Sequence, residues 1–174
     1  MDIFRKLLIA AVLLPISAMA EPVEVTATPV PLYADSPDRI TVGVLTYKGG
    51  LQLRFGGFSG LGVSADGARM VSISDRGMSL SANLSYDDRG NLNGITDTNI
   101  GALADLDGEG LVGKRWSDAE AMSPGVEGEI IVAFERDHRL WRYDPGAINA
   151  RALRPPDELS GLPGNGGIEA LTLL

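Results

Sequence analysis

The chain has no cysteine, one histidine, and few aromatic residues: four Phe, four Tyr and two Trp in 174 residues. Without cysteine there is no disulfide scaffold, so the fold must rest on its apolar core. With His138 alone, any Ser-His-Asp triad or His-based metal site must use that residue or does not exist. Basic residues are also in the minority, 15 against 23 acidic, for a formal net charge of −8. That balance argues against nucleic acid or an anionic membrane as a partner and is compatible with cations. The longest apolar run, Leu7 to Leu14, is too short to span a bilayer and argues against a stable membrane anchor.

That run has a different reading. Arg5 and Lys6 precede it, and Ala18-Met19-Ala20 follows as a small-x-small cleavage site, the pattern of a signal peptide over residues 1–20. A periplasmic or secreted protein beginning at Glu21 is expected. Residues 21–39 hold Pro22, Pro29, Pro31 and Pro37, which disfavour regular structure and predict an extended leader. Lys48-Gly49-Gly50 between two β-rich stretches predicts a hairpin over 40–55.

Beyond Gly56-Gly57 the chain repeats itself. Ser59-Gly60-Leu61, Asp66-Gly67 and Met70 to Ser74 match Glu120-Ala121-Met122, Glu127-Gly128 and Ile131 to Glu135, all 61 residues apart. A third copy opens at Glu169-Ala170-Leu171, three residues before the end. Each copy reads as strand, acidic-Gly turn, strand. Repeats of this size with short strands predict an all-β fold, a partial β-propeller of about two and a half four-stranded blades. The first blade is expected at 58–65, 68–74, 78–86 and 91–100. The second is expected near 119–123, 129–135 and 138–143, after a long connection, and the third strand set begins at Leu171.

Several of these residues are familiar as an ordered set. Phe58-Ser59-Gly60-Leu61 with Ser74-Asp75-Arg76-Gly77 comes first. Asp118-Ala119-Glu120-Ala121 with Phe134 to Tyr143 follows, and then Gly164-Asn165-Gly166-Gly167-Ile168-Glu169-Ala170-Leu171. In order and spacing the set resembles the "esterase-like activity of phytase" family, also called phytase-like domain proteins, over residues 40–174. The resemblance implies an exported propeller that hydrolyses a small-molecule ester or phosphoester. Members continue through further blades, so this chain is expected to be an N-terminal fragment of one. The alternatives are a non-catalytic propeller that binds a ligand or ion, and an inactive truncated product.

Four groups of residues could carry chemistry. Asp75, Glu120, Glu135 and Glu169 stand at strand ends, and Glu120 and Glu169 share a repeat position that should face one axis. Carboxylates gathered there would bind Ca²⁺, a hard cation that prefers oxygen ligands, with Glu120 and Glu169 as the expected metal ligands. Local pairing with Arg or with backbone turns accounts for them equally well. Arg76 and Arg136 each follow an acid and are suited to a phosphate or carboxylate oxygen, or else to a stabilising pair at the blade rim. His138, in a charged strand, joins them as a catalytic candidate against a purely structural role. Gly57-Phe58-Ser59-Gly60-Leu61 nearly copies a nucleophile elbow, but Leu61 replaces the last Gly and no helix follows. Asp105 to Gly110 imitates half an EF-hand loop, yet the twelfth position is Trp116, so a solvated turn is expected.

Overall fold

A computed structural model of the protein describes residues 21–22, 24–30, 42–47, 55–125, 128–145 and 149–172. The expected signal peptide lies outside the described residues. Of these, eleven strands hold most of the regular structure. β1 (Glu21–Pro22), β2 (Val25–Val30) and β3 (Val42–Tyr47) come first. β4 (Phe58–Val63), β5 (Arg69–Ser74), β6 (Met78–Tyr86) and β7 (Leu92–Ala102) follow as an antiparallel meander. After one helical turn, α1 (Lys114–Ser117), come β8 (Ala119–Pro124), β9 (Ile130–Phe134), β10 (Arg139–Tyr143) and β11 (Ala150–Leu153). The strand order is β1-β7-β6-β5-β4 in sheet 1 and β11-β10-β9-β8 in sheet 2. The protein is therefore all-β with two four-stranded antiparallel meanders, the first extended by two residues of β1. Among the described residues these sheets do not close a ring.

Four expectations need correction. Residues 21–38 do contain regular structure, because β2 pairs with β3 from Val25↔Tyr47 to Val30↔Val42. Pro29 is tolerated there because a two-stranded sheet consists only of edges, where a missing N–H need not break a ladder. β3 thus pairs backward in sequence, while most of the expected forward partner, 51–54, lies outside the described residues. Sheet 2 has a fourth strand, β11, that its Ala- and Arg-rich sequence did not announce. The third copy forms no strand over 168–172, and residues 173–174 lie outside the described residues. Finally, the repeat is not uniform. Ser64 N–H donates to Arg69 O, and Gly125 N–H donates to Glu129 O at the matching turn. The second turn is one residue shorter, so β4 matches β8 at an offset of 61 and β5 matches β9 at 60. Asp75-Arg76 therefore superposes on Glu135-Arg136 in the ladder.

Alternation sorts the side chains of sheet 1. Met78, Leu80, Ile100 and Ala102 share one face, with Phe55, Phe58 and Met70 against them. Ile73 and Val71 take the other face and meet Met122, Ile130, Val132, Phe134 and Tyr143 of sheet 2 in a single cluster. Met70, Met78 and Met122 are packing residues. Fully buried Ile73, Leu80 and Val132 each contribute roughly 1.5–3 kcal/mol. Glycine makes a close approach of the two sheets possible. A Cβ on Gly60 would lie 2.6 Å from Met122 Cγ.

The connection between the sheets is tied down twice. Tyr143 Oη donates to Ala104 O at 2.8 Å, and burial pushes that phenol up from its ordinary value. Asp105 Oδ1 accepts the Asp107 and Glu109 N–H groups, which spends the EF-hand-like carboxylate on its own turn. Gly77, at φ 68, faces Ser117 so closely that a Cβ would lie 2.7 Å from the serine Cβ. Both the left-handed backbone and the contact oppose a side chain. Gly77→Ala is expected to cost about 2–3 kcal/mol, read from urea unfolding; wild-type stability in that variant would refute the contact.

Candidate active site at the start of strand β8

The site forms where β8 begins and β9 ends. Both first strands carry an irregularity at the same place. Register shifts between Phe58 and Gly60 in β4, and between Ala119 and Ala121 in β8. The extra residues are Ser59 and Glu120, so the repeat position seen in sequence is a β-bulge, a device that re-aims a side chain out of the pleat. Ser59 Oγ donates across to Ala119 O, joining the sheets at this level. The nucleophile-elbow likeness is not followed by a helix, because β4 runs through it and β5 comes next.

Glu120, Asp118 and Glu135 offer carboxylate oxygens that all lie within 4.8 Å of one another. Asp118 is the centre, with its side chain 1% exposed. Lys114 Nζ is ion-paired to its Oδ1, and Arg136 Nε donates to its Oδ2 at 2.5 Å. Lys114, one turn earlier in α1, also reaches Asp75 Oδ2 of sheet 1 at 2.8 Å. One lysine thus bridges the two sheets through two aspartates. Arg136 adopts φ 62, a left-handed conformation that is costly for a non-glycine residue and that the turn after β9 imposes.

The electrostatics follow from burial. Burial alone would raise Asp118, but hydrogen bonds from Lys114, Glu120 and Arg136 hold its carboxyl below the ordinary value. Glu120 goes the other way. Burial first, then its hydrogen bond to Asp118 and the charge of that neighbour, push its carboxyl up to about 7, against the pull of Lys114. The negative charge of Glu135 adds to the rise. Two carboxyls in one pocket thus separate into a held anion and a group that shares a proton with it near neutrality.

The remaining candidates are placed around this centre. Glu135 is buried, and its Oε1 accepts the Gly167 N–H at 3.0 Å. His138 Nε2 meets Pro163 O at 2.9 Å, so the ring donates there and leaves Nδ1, itself buried, as the unprotonated nitrogen in the neutral form. Both residues therefore fasten the last segment of the chain onto sheet 2. Asp75 is held by Lys114, and Arg76 Nη1 donates to Phe55 O at 3.2 Å beside sheet 1. Glu169 is exposed on the irregular segment after the 3-10 turn Asp157–Gly161, and it is not a member of the carboxylate trio. Asp118 and Lys114 were missed as site residues. Asp118 stood in the motif Asp118-Ala119-Glu120-Ala121, where an acid two residues before a bulged acid was the available signal.

The family model for phytase-like proteins, described as "esterase-like activity of phytase", matches residues 53–174. The chain belongs to this phytase-like family. The match spans both meanders, the carboxylate trio and the segment clipped onto Glu135. No curated protein and no solved structure matches the chain. Among the described residues, no helix is long and apolar enough to cross a membrane.

Proposed function

We propose that the protein is an exported hydrolase of phosphate or carboxylate esters, built on part of a β-propeller, with its chemistry at Glu120. The observation that carries this reading is a proton-sharing carboxyl at about 7 beside a buried, cation-held aspartate, in a member of the phytase-like family. A group divided between acid and carboxylate at neutral pH can serve both halves of ester hydrolysis. As the acid, Glu120 gives its proton to the leaving oxygen. As the carboxylate, it takes one from the attacking water. Arg136 spends Nε on Asp118 while its side chain remains 41% exposed, which suits it to an anionic oxygen of the ester. Asp118 orients both groups and balances Lys114.

The three carboxylates form an all-oxygen donor set of the kind a hard cation takes. Glu120 and Glu135 would hold Ca²⁺ beside Asp118, whose two oxygens already carry Lys114 and Arg136, and such an ion would supply polarisation of an ester oxygen. The proton on Glu120 competes with it. Added Ca²⁺ should therefore raise the melting temperature more at pH 8 than at pH 5.5, since RT ln(1 + [L]/Kd) grows as the site deprotonates. Equal shifts at both values, or none, would remove Ca²⁺ from the site.

The function is tested with p-nitrophenyl acetate and p-nitrophenyl phosphate, with and without a chelator. Turnover of either substrate, with an inflection in kcat/KM near pH 7, is the expected result. No turnover of either, together with saturable Ca²⁺ binding, would favour a non-catalytic ion-binding role. The all-oxygen donor set of Asp118, Glu120 and Glu135 is what supports that second reading.

A further inference from the structure

At the end of the sheets opposite the carboxylate trio, their outer halves separate into a cleft of about 1140 Å³. Register explains why it stays open. On the face of sheet 1 turned toward sheet 2, one row runs Val71, Ser81, Asn99 across β5, β6 and β7, and the next begins Arg69, Asn83. The apolar face thus ends at Val71. A face meant to be covered by another sheet would continue with large aliphatic residues. This one continues with hydroxyls and amides that line the cleft.

These groups are organised. The β6–β7 ladder shifts register between Ser81 and Asn83, and Asp97 lies in that irregularity at φ 49. Its Oδ2 accepts Asn83 Nδ2 at 2.7 Å, and its carbonyl accepts Asn99 Nδ2 at 2.9 Å. Each amide spends one N–H on Asp97 and keeps its carbonyl oxygen and second N–H. Val71 and the almost fully buried Ile130 form the apolar base of the cleft.

We propose that this cleft binds a small, uncharged polyhydroxylated ligand of disaccharide size, held by Ser81, Asn83, Asp97 and Asn99 against the Val71–Ile130 floor. Volume admits it, since the cleft exceeds the roughly 300–1,000 Å³ common for ligand pockets. Hydroxyls both donate and accept, which matches a wall of serine, amide, guanidinium and carboxylate groups. An ammonium only donates and would leave the Ser81, Asn83 and Arg69 donors unmatched. Asp66, Glu129 and Asp144 at the rim disfavour a phosphorylated or otherwise anionic ligand.

The test is calorimetric titration of the whole protein with maltose, cellobiose and sucrose, with spermidine as the cationic comparison. Saturable one-to-one binding of at least one disaccharide is expected, weakened about tenfold by Asn83→Leu, the worth of a lost hydrogen-bonded contact. If Asn83→Leu lowers the melting temperature, Ser81→Val carries the same expectation. The proposal falls if no disaccharide saturates, if spermidine alone does, or if a variant that melts like the wild type binds as the wild type does.

Discussion

Replacing both Lys114 and Arg136 with methionine should cost about 3–5 kcal/mol of stability, the usual penalty for stranding a buried charge. Asp118 has a side chain only 1% exposed, and these two cations lie on its two oxygens. Without them it must either stay ionised in a water-poor pocket or take up a proton that Glu120 already competes for. For a chain of this size the loss corresponds to a drop on the order of 10 °C in melting temperature. The cations themselves are about half exposed and return to water at little cost, so the penalty belongs to the aspartate. Adding Asp118→Asn to the double variant should therefore recover much of the loss. If the triple variant is no more stable than the double, the cost comes from lost packing, and the buried-charge account is wrong.

Glu120→Gln should lower kcat by about 10²–10⁴, the range for a lost general acid–base group, and should abolish the inflection near pH 7. It should also change stability in a definite direction. The folded-state value of Glu120, about 7, is raised above the ordinary 4.5. Its contribution is thus fully present below about 4.5 and is lost as pH rises through 7. The wild type should lose about 1–3 kcal/mol across that interval from this group. Asp118, held below its ordinary value, acts oppositely and withdraws stability as the solution becomes more acidic than 3.8. Glutamine does not ionise, so the variant should be less pH-dependent between 4.5 and 8 and no less stable than the wild type at pH 8. Urea unfolding at the two pH values checks this. A variant with the wild-type pH slope, or with undiminished kcat, would take Glu120 out of the centre.

The first meander was legible because its signals agree: β-rich runs, alternating polarity, and turns at Asp66-Gly67 and Asp87 to Gly90. The structure keeps those strands within a few residues of where periodicity put them. β11 was invisible because Ala150-Arg151-Ala152-Leu153 has no β-branched or aromatic residue; its pairing to β10 makes it a strand. β2 was hidden by Pro29, whose cost depends on a neighbour count that sequence does not state. In the site, Glu120 was found through its repeat position, whereas Asp118 entered only as the first residue of the motif Asp118-Ala119-Glu120-Ala121. Its importance comes from Lys114 and Arg136, which approach from a helical turn and from the far side of a hairpin. Lys114 and Asp118 are four residues apart, a helical spacing that goes unnoticed in a chain read as all strands, and no spacing rule brings in Arg136.

The one-residue difference between the Ser64–Arg69 and Gly125–Glu129 turns divides the molecule into two territories. At the carboxylate end, each first strand keeps its bulge, and the hydrogen bonds from Asp75 N–H to Gly57 O and from Glu135 N–H to Asp118 O are preserved in both meanders. A length change there would rotate every acid off its target. At the other end, a residue has been gained or lost with no effect on strand register. Those turns border the large cleft, so the architecture tolerates variation beside the cleft and forbids it beside the carboxylate trio. A designer grafting new recognition loops onto this scaffold should cut at 65–68 and leave the turns after β5 and β9 alone.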